Sequence, residues 1–410
     1  MIAVAASFRY PSPPFANMSV NPTAYDVRGY AHRPPPRWRW IFPVIGAVAV
    51  VVALVILVVH VRRRVKAEPK TPVAQVVVAP KPAPHVVSNA PPVFWRKLVC
   101  PTDRTNILDA PIAESFQDTG TGDPRSGMFG TLRTSESGLG QFHEGLDIKC
   151  LKRDRHGNPL DKVYAVAEGR VAYASRIGGN SNYGKYIVLL HPDRVGEIYT
   201  LYAHLSEIEP AVQPGAFVTA GETIALMGHT SSSPIPVERA HLHFEIGLVI
   251  NTHFTEWYRG KRQTPDHGNW HGWNLLGVNP LDALRFAHDR GKMDFGEFLK
   301  TTPVAFTLAI RAAQLPDFFR RYSVLWQGAP FDGAAFVITV NENGTPLSGR
   351  NATHEEKLKL GKQVAAVLAA NPDVIGRNGR RLVQQTKSGW KTGSNGMEWL
   401  EILLYPQRVR

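Results

Sequence analysis

Between Arg96 and Ala287 the chain consists of short runs of strand-type residues, each cut off by glycine or another turn residue. "GKYIVLLH" (184–191), "EIYTLYAHL" (197–205), "AFVTAGETIALMG" (216–228) and "AHLHFEIGLVI" (240–250) are the clearest of them. β-Branched and aromatic residues bounded by turn signals specify strands and leave little room for helix. Residues 96–290 are therefore expected to form a mainly β domain. With 43% hydrophobic and 20% charged residues the composition is that of a folded protein. The 410 residues suffice for two or three domains, at about 100–200 residues each.

What precedes this domain is of a different kind. Ile41 to Val59, "IFPVIGAVAVVVALVILVV", is uncharged and apolar, close to the roughly 20 residues that span a bilayer. No amphipathic face is visible, which argues against a buried core helix. Arg62, Arg63 and Arg64 follow with no small-residue cleavage site, so residues 40–61 read as an uncleaved anchor. Arg28, Arg33, Arg37 and Arg39 flank its other end, and the distribution of positive charge leaves the orientation open. Residues 1–39 read as a disordered tail. Residues 62–95 read as a proline-rich linker, with proline favouring extended polyproline II at about 3.1 Å per residue.

Residues 291–410 mix both periodicities and predict a small α+β domain. "AAFVITVNENG" (334–344) reads as a strand running into an Asn-Gly turn. Thr353 and Glu356 form a capping box, opening a helix with Leu360, Val364, Val367 and Leu368 on one face and a stop at Asn371-Pro372. "MEWLEILLYP" (397–406) is expected to be a closing strand.

A net charge of +13 favours anionic surroundings. No helix-turn-helix or zinc-finger spacing singles out nucleic acid, which is not expected as a partner. With two cysteines, Cys100 and Cys150, neither a disulfide scaffold nor a thiolate metal site is available. One extracytoplasmic disulfide and two free thiols both remain open.

"AHLHFE" (240–245) sets His241 and His243 on one strand face, since residues i and i+2 point the same way. Leu242 and Phe244 then face a core. An isolated HxH is consistent with a merely polar strand face. "FHEGLDI" (142–148), however, offers His143 and Asp147 around Gly145, and "YAHL" (202–205) adds His204. Two imidazoles and a carboxylate form a catalytic zinc set that leaves the fourth position to water.

In order, FHxGxD, YAHL and HLHFE resemble the lysostaphin-type (LytM-like) zinc endopeptidases, which cut peptide bonds in bacterial peptidoglycan. "FGTLR" (129–133), "VYAVAEGRV" (163–171), "YGKYIVLLH" (183–191), "VQPGAFVTAGETIALMG" (212–228) and "NPLDAL" (279–284) add to the likeness, which covers roughly residues 125–285. The resemblance implies an antiparallel β-sheet peptidase domain with His143, Asp147 and His243 as zinc ligands. It makes His204 and His241 the non-ligand catalytic pair. Glu245 is expected to support His243, and Glu144 to sit in solvent. His191, His229, His253, His267 and His271 match no catalytic position and are assigned structural or surface roles. Two loops depart from the family pattern, 149–162 and 229–240, and both are expected to border the groove.

The expectation is therefore a single-pass protein of the cytoplasmic (inner) membrane. Its zinc endopeptidase would act on peptidoglycan on the extracytoplasmic or periplasmic side, with D,D-endopeptidase activity preferred and other cell-wall enzymes as possible partners. The rival expectation is a non-catalytic LytM-like regulator that activates a partner hydrolase. Such members lose metal ligands, and all five positions are present here.

Overall fold

A computed structural model describes residues 98–120, 122–134, 140–264, 266–376 and 379–408. The expected tail (1–39), membrane helix (40–61) and proline-rich linker (62–95) all lie outside the described residues. Among the described residues no helix is long and apolar enough to cross a membrane.

The fold is mainly β, and its centre is a seven-stranded sheet in which every pairing is antiparallel. In chain order its strands are β1 (Leu146–Lys149), β2 (Gly169–Ser175), β3 (Tyr186–Pro192), β4 (Glu197–Ala203), β5 (Phe217–Val218), β6 (His241–Val249) and β7 (Leu275–Val278). The spatial order is β7-β6-β4-β3-β2-β5, with β1 paired to the first half of β6. Strand β6 is buried along its whole length. One of its edges is covered by β4, the other by β1 and then β7, end to end.

Strand alternation divides the sheet as the HLHFE pattern predicts. Leu242, Phe244, Ile246 and Leu248 enter the main core. Val249 packs in a second cluster with Tyr199, Leu201 and Ala203 of β4 on the opposite face. The main core runs without a break into the C-terminal region, taking in Phe306, Phe318, Phe336, Trp399 and Leu403. There a five-stranded sheet is built around Phe306–Arg311, Ala335–Val340 and Pro346–Asn351.

Two expectations for this region are corrected. The capping box of Thr353 and Glu356 forms as predicted, but its helix is only His354–Leu360. Gly361, at φ 55°, ends it. Ala365–Ala370 is instead an edge strand against Phe306–Arg311. The apolar spacing suited a helix face, yet an open strand edge offered a ladder of backbone hydrogen bonds, and tertiary context outweighs propensity over so few residues. Conversely, the expected closing strand at 397–406 lies mostly in a helix, Ser394–Leu404. Its buried positions Gly396, Trp399, Leu400, Leu403 and Leu404 recur at three- and four-residue steps, the period of a helix face.

His191 is structural. It is fully buried on the core face of β3, with Nδ1 donating to the Glu168 carbonyl at 2.7 Å and Nε2 2.8 Å from Thr200 Oγ1. Burial lowers its pKa to about 4, so protonation is easier in the unfolded chain. Stability is then complete above the ordinary histidine value of about 6.5 and lost as pH falls toward 4. Guanidinium denaturation at pH 7 and pH 5 is expected to show that loss. His191→Leu, which takes the donor from the Glu168 carbonyl and leaves Thr200 Oγ1 with Tyr202 alone, is expected to cost about 1–3 kcal/mol at pH 7 and to flatten the dependence. An unchanged slope in the variant would assign the loss to another group.

Candidate active site

The register of β6 against β1 places His243 directly opposite Asp147. His143 joins them from the segment leading into β1, where its backbone pairs with Gly130 and Thr131. Gly145 makes this approach possible. A Cβ there would lie 2.5 Å from the Phe244 carbonyl oxygen and 3.0 Å from His243 Cε1, too close for any side chain. His143 Nε2, Asp147 Oδ1 and His243 Nδ1 form a nearly equilateral triangle, with sides of 3.1, 3.0 and 3.1 Å. All three residues are buried.

The outer hydrogen bonds say what this triangle is for. His143 Nδ1 donates to the Met128 carbonyl at 3.0 Å, which leaves a lone pair on Nε2. His243 Nε2 donates to Glu245 Oε1 at 2.9 Å, which leaves a lone pair on Nδ1. Asp147 presents Oδ1 to both rings, while its Oδ2 accepts from Arg133. Three lone pairs thus converge on one point, an arrangement that a proton on His243 or a bound metal ion relieves. The sides are near the about 3.3 Å separation of donors at 2.0–2.1 Å from a tetrahedral ion. These residues fit a zinc-like ion, and they are the one such group of His, Cys, Asp and Glu found among the described residues.

The electrostatics agree. Burial opposes charge on His243, but Asp147 and Glu245 outweigh it and raise its pKa to about 9. In the metal-free site a proton therefore competes for the lone pair that a metal would take. Burial lowers His143 to about 4. Asp147 is held well below the usual carboxylate range against its burial, chiefly by Arg133 and His143.

His204 and His241 stand beside the triangle, their rings 4.8 Å apart. Each is anchored through Nδ1, His204 at 2.9 Å from the Thr230 carbonyl and His241 at 2.7 Å from that of Arg239. Each therefore keeps Nε2 as an acceptor. Burial lowers both pKa values, which keeps the rings neutral at neutral pH. His204 follows the last residue of β4 with φ at 62°, a left-handed conformation uncommon outside glycine. Such strain persists where surrounding structure imposes it, here the Tyr183 carbonyl and Thr230.

All five predicted site residues line one open groove of about 380 Å³. The 229–240 loop borders it through Ser231, Ser233, Pro234, Ile235 and Arg239, as expected. The 149–162 loop does not border it. Arg153 instead reaches the Val237 and Glu238 carbonyls at 2.7 and 3.0 Å and braces the first loop from outside. Cys100 and Cys150 are free thiols, bonded to the Arg104 carbonyl and to Asp161.

Arg133, Tyr183 and Tyr199 were not assigned roles from the sequence. Tyr183 and Tyr199 donate to the two oxygens of Glu245 at 2.7 and 2.8 Å, which fixes the carboxylate that fixes His243. Tyr199 shares strand parity with Ala203, the cross-strand neighbour of His243, and that parity was the available signal. Glu245→Gln, which weakens the tautomer control on His243, is expected to lower metal affinity 10–100-fold, as read by competition with a chromophoric chelator. Unchanged affinity would leave Glu245 a purely structural role.

A sequence profile of peptidase family M23 matches residues 141–255, which bracket His143, Asp147, His204, His241 and His243. Residues 141–255 form an M23 peptidase domain. No curated protein matches the chain. Among solved structures, a zinc-containing peptidase from Vibrio cholerae is 26% identical, with TM-score 0.24, over 37% of this chain and 36% of its own. The catalytic domain of lysostaphin from Staphylococcus simulans is 26% identical, with TM-score 0.22, over 30% of this chain and 76% of its own. A putative glycyl-glycine endopeptidase LytM from Ruminococcus gnavus is 24% identical, with TM-score 0.25, over 36% and 47%. The chain thus spans about a third of the Vibrio cholerae peptidase and about half of the Ruminococcus gnavus protein.

Proposed function

We propose that the M23 domain is a zinc endopeptidase that hydrolyses the peptides of bacterial peptidoglycan. The observation that carries this reading is the convergence of two tautomer-fixed imidazole lone pairs and a carboxylate oxygen, with two neutral imidazoles beside them, on an open groove. His143, Asp147 and His243 would hold the ion, which when bound acidifies water and polarises a carbonyl. His204 and His241, both lining the groove and anchored through Nδ1, are placed to accept the water's proton and to hydrogen-bond the oxygen that gains charge. Their low pKa values keep them competent as acceptors. Tyr183, Tyr199 and Glu245 hold His243 in the ligating tautomer.

Cleavage of D,D cross-links is the preferred specificity. The uncharged stretch Ile41–Val59, the proline-rich spacer and the net charge of +13 support a single membrane anchor holding the domain outside the cytoplasmic membrane against an anionic wall. Muropeptide mass spectrometry is expected to show dimers falling to monomers with the zinc-loaded protein. Intact dimers with an otherwise loaded protein would favour the regulator. Degradation of the C-terminal portion by protease added to spheroplasts tests the orientation, and full protection would rule out action on the wall.

A further inference from the structure

The groove over the metal set does not end there. A second cavity of about 570 Å³ adjoins it, within the 300–1,000 Å³ range of ligand sites. Gln141, Glu144, Asn182 and Tyr183 line both compartments. The far wall of the second is not made by the M23 domain alone. Gly379, Arg380, Arg381 and Asn395 come from the C-terminal region and face His271 and Trp273.

Two consecutive arginines at one cavity wall offer forked donors that suit an anion. Arg381 is held by its Nη2 bond to the Gly140 carbonyl at 3.1 Å. Arg380 meets Glu144 at 3.4 Å, longer than the 2.7–2.9 Å of a close charge-assisted bond. Its Nε is buried without a hydrogen-bond partner. A guanidinium carries five donors in a fork that matches a carboxylate, so this one is under-satisfied by its single loose partner. Glu144, expected in solvent, is instead partly buried between the two compartments, one residue from the ligand His143. A carboxylate is thus already the group that Arg380 takes, but it is held at arm's length.

We infer that Arg380 and Arg381 form a subsite for a free carboxylate of the peptide substrate, on the side of the groove built by the C-terminal region. This rests on the peptidase reading for the nature of the substrate. It gives the C-terminal region a part in recognition: it supplies one wall of the binding cleft while leaving the compartment over the metal set lined by residues 119–243.

The test is binding, which needs neither metal nor turnover. The full chain in detergent, with chelator present, is titrated calorimetrically with a γ-D-glutamyl stem tetrapeptide and with its fully amidated twin. The acid is expected to bind at least about tenfold more tightly, a gap of about 1.4 kcal/mol. Arg380→Gln and Arg381→Gln are each expected to shrink that ratio toward one while leaving the Kd for the amidated twin within about twofold. Glu144→Gln removes the internal competitor and is expected to tighten the acid form, a gain that misfolding does not produce. Equal binding of acid and amide, no binding of either, a preference that survives both arginine changes, or loosening by Glu144→Gln would each overturn the subsite. None of these bears on zinc content or muropeptide cleavage, which judge the peptidase reading separately.

Discussion

Alanine at His143, Asp147 or His243 is expected to leave the purified protein without stoichiometric zinc, where the unaltered chain carries about one ion per molecule. Each change removes one corner of a triangle whose sides are 3.0–3.1 Å. Two protein ligands do not make the three-ligand set of a catalytic site. His243→Ala also removes one of the three donors to Glu245, leaving it only Tyr183 and Tyr199 and a buried carboxylate short of a donor. Asp147→Ala leaves Arg133 beside two imidazoles with no anion between them, so it is expected to be the most severe of the three. Elemental analysis beside circular dichroism decides the matter. A folded Asp147→Ala protein with full zinc would remove Asp147 from the ligand set.

His204→Ala and His241→Ala are expected to behave oppositely, keeping the ion and losing the rate. Neither Nε2 belongs to the triangle; His241 Nε2 lies 3.4 Å from Asp147 Oδ2, the oxygen turned toward Arg133. Loss of a general acid–base group slows turnover by roughly 10²–10⁴-fold, and muropeptide release per zinc measures it. The two residues form a neighbouring pair, so the double variant is expected to fall well short of the product of the single effects. Rates unchanged in both variants would make the two rings structural. Loss of zinc from His241→Ala with retention by His243→Ala would exchange their roles.

These predictions concern residues that the chain announces locally. His241 and His243 share a strand face by parity alone, and Gly145 allows the backbone carrying His143 and Asp147 to lie against β6. The residues that wall the second cavity and brace the site are announced by nothing local. Glu144 precedes a glycine in a polar run, and a sequence offers no reason to bury it. Arg380 lies 236 residues away and is brought to it by the shared core of the M23 domain and the C-terminal region. Tyr199 and Tyr183 reach Glu245 from two other segments of the sheet.

The same division explains the misread elements. Residues 365–370 and 394–404 carry apolar spacings compatible with either periodicity over so short a span. One became a strand because Phe306–Arg311 had an edge to fill, the other a helix because Trp399, Leu400 and Leu403 could enter the core together. What the sequence by itself determined was the strand character of the central sheet between Leu146 and Val278, though not the helices Phe254–Gly260 and Pro280–Arg290, together with the shared face of two histidines and the chemical types of a metal set. Only the tertiary structure decided which nitrogen of each ring faces inward, what holds it there, and what walls the cleft beyond. Side-chain alternation is a property of neighbouring residues, whereas hydrogen-bond partners and cavity walls belong to segments a hundred or more residues apart, and packing alone brings those together.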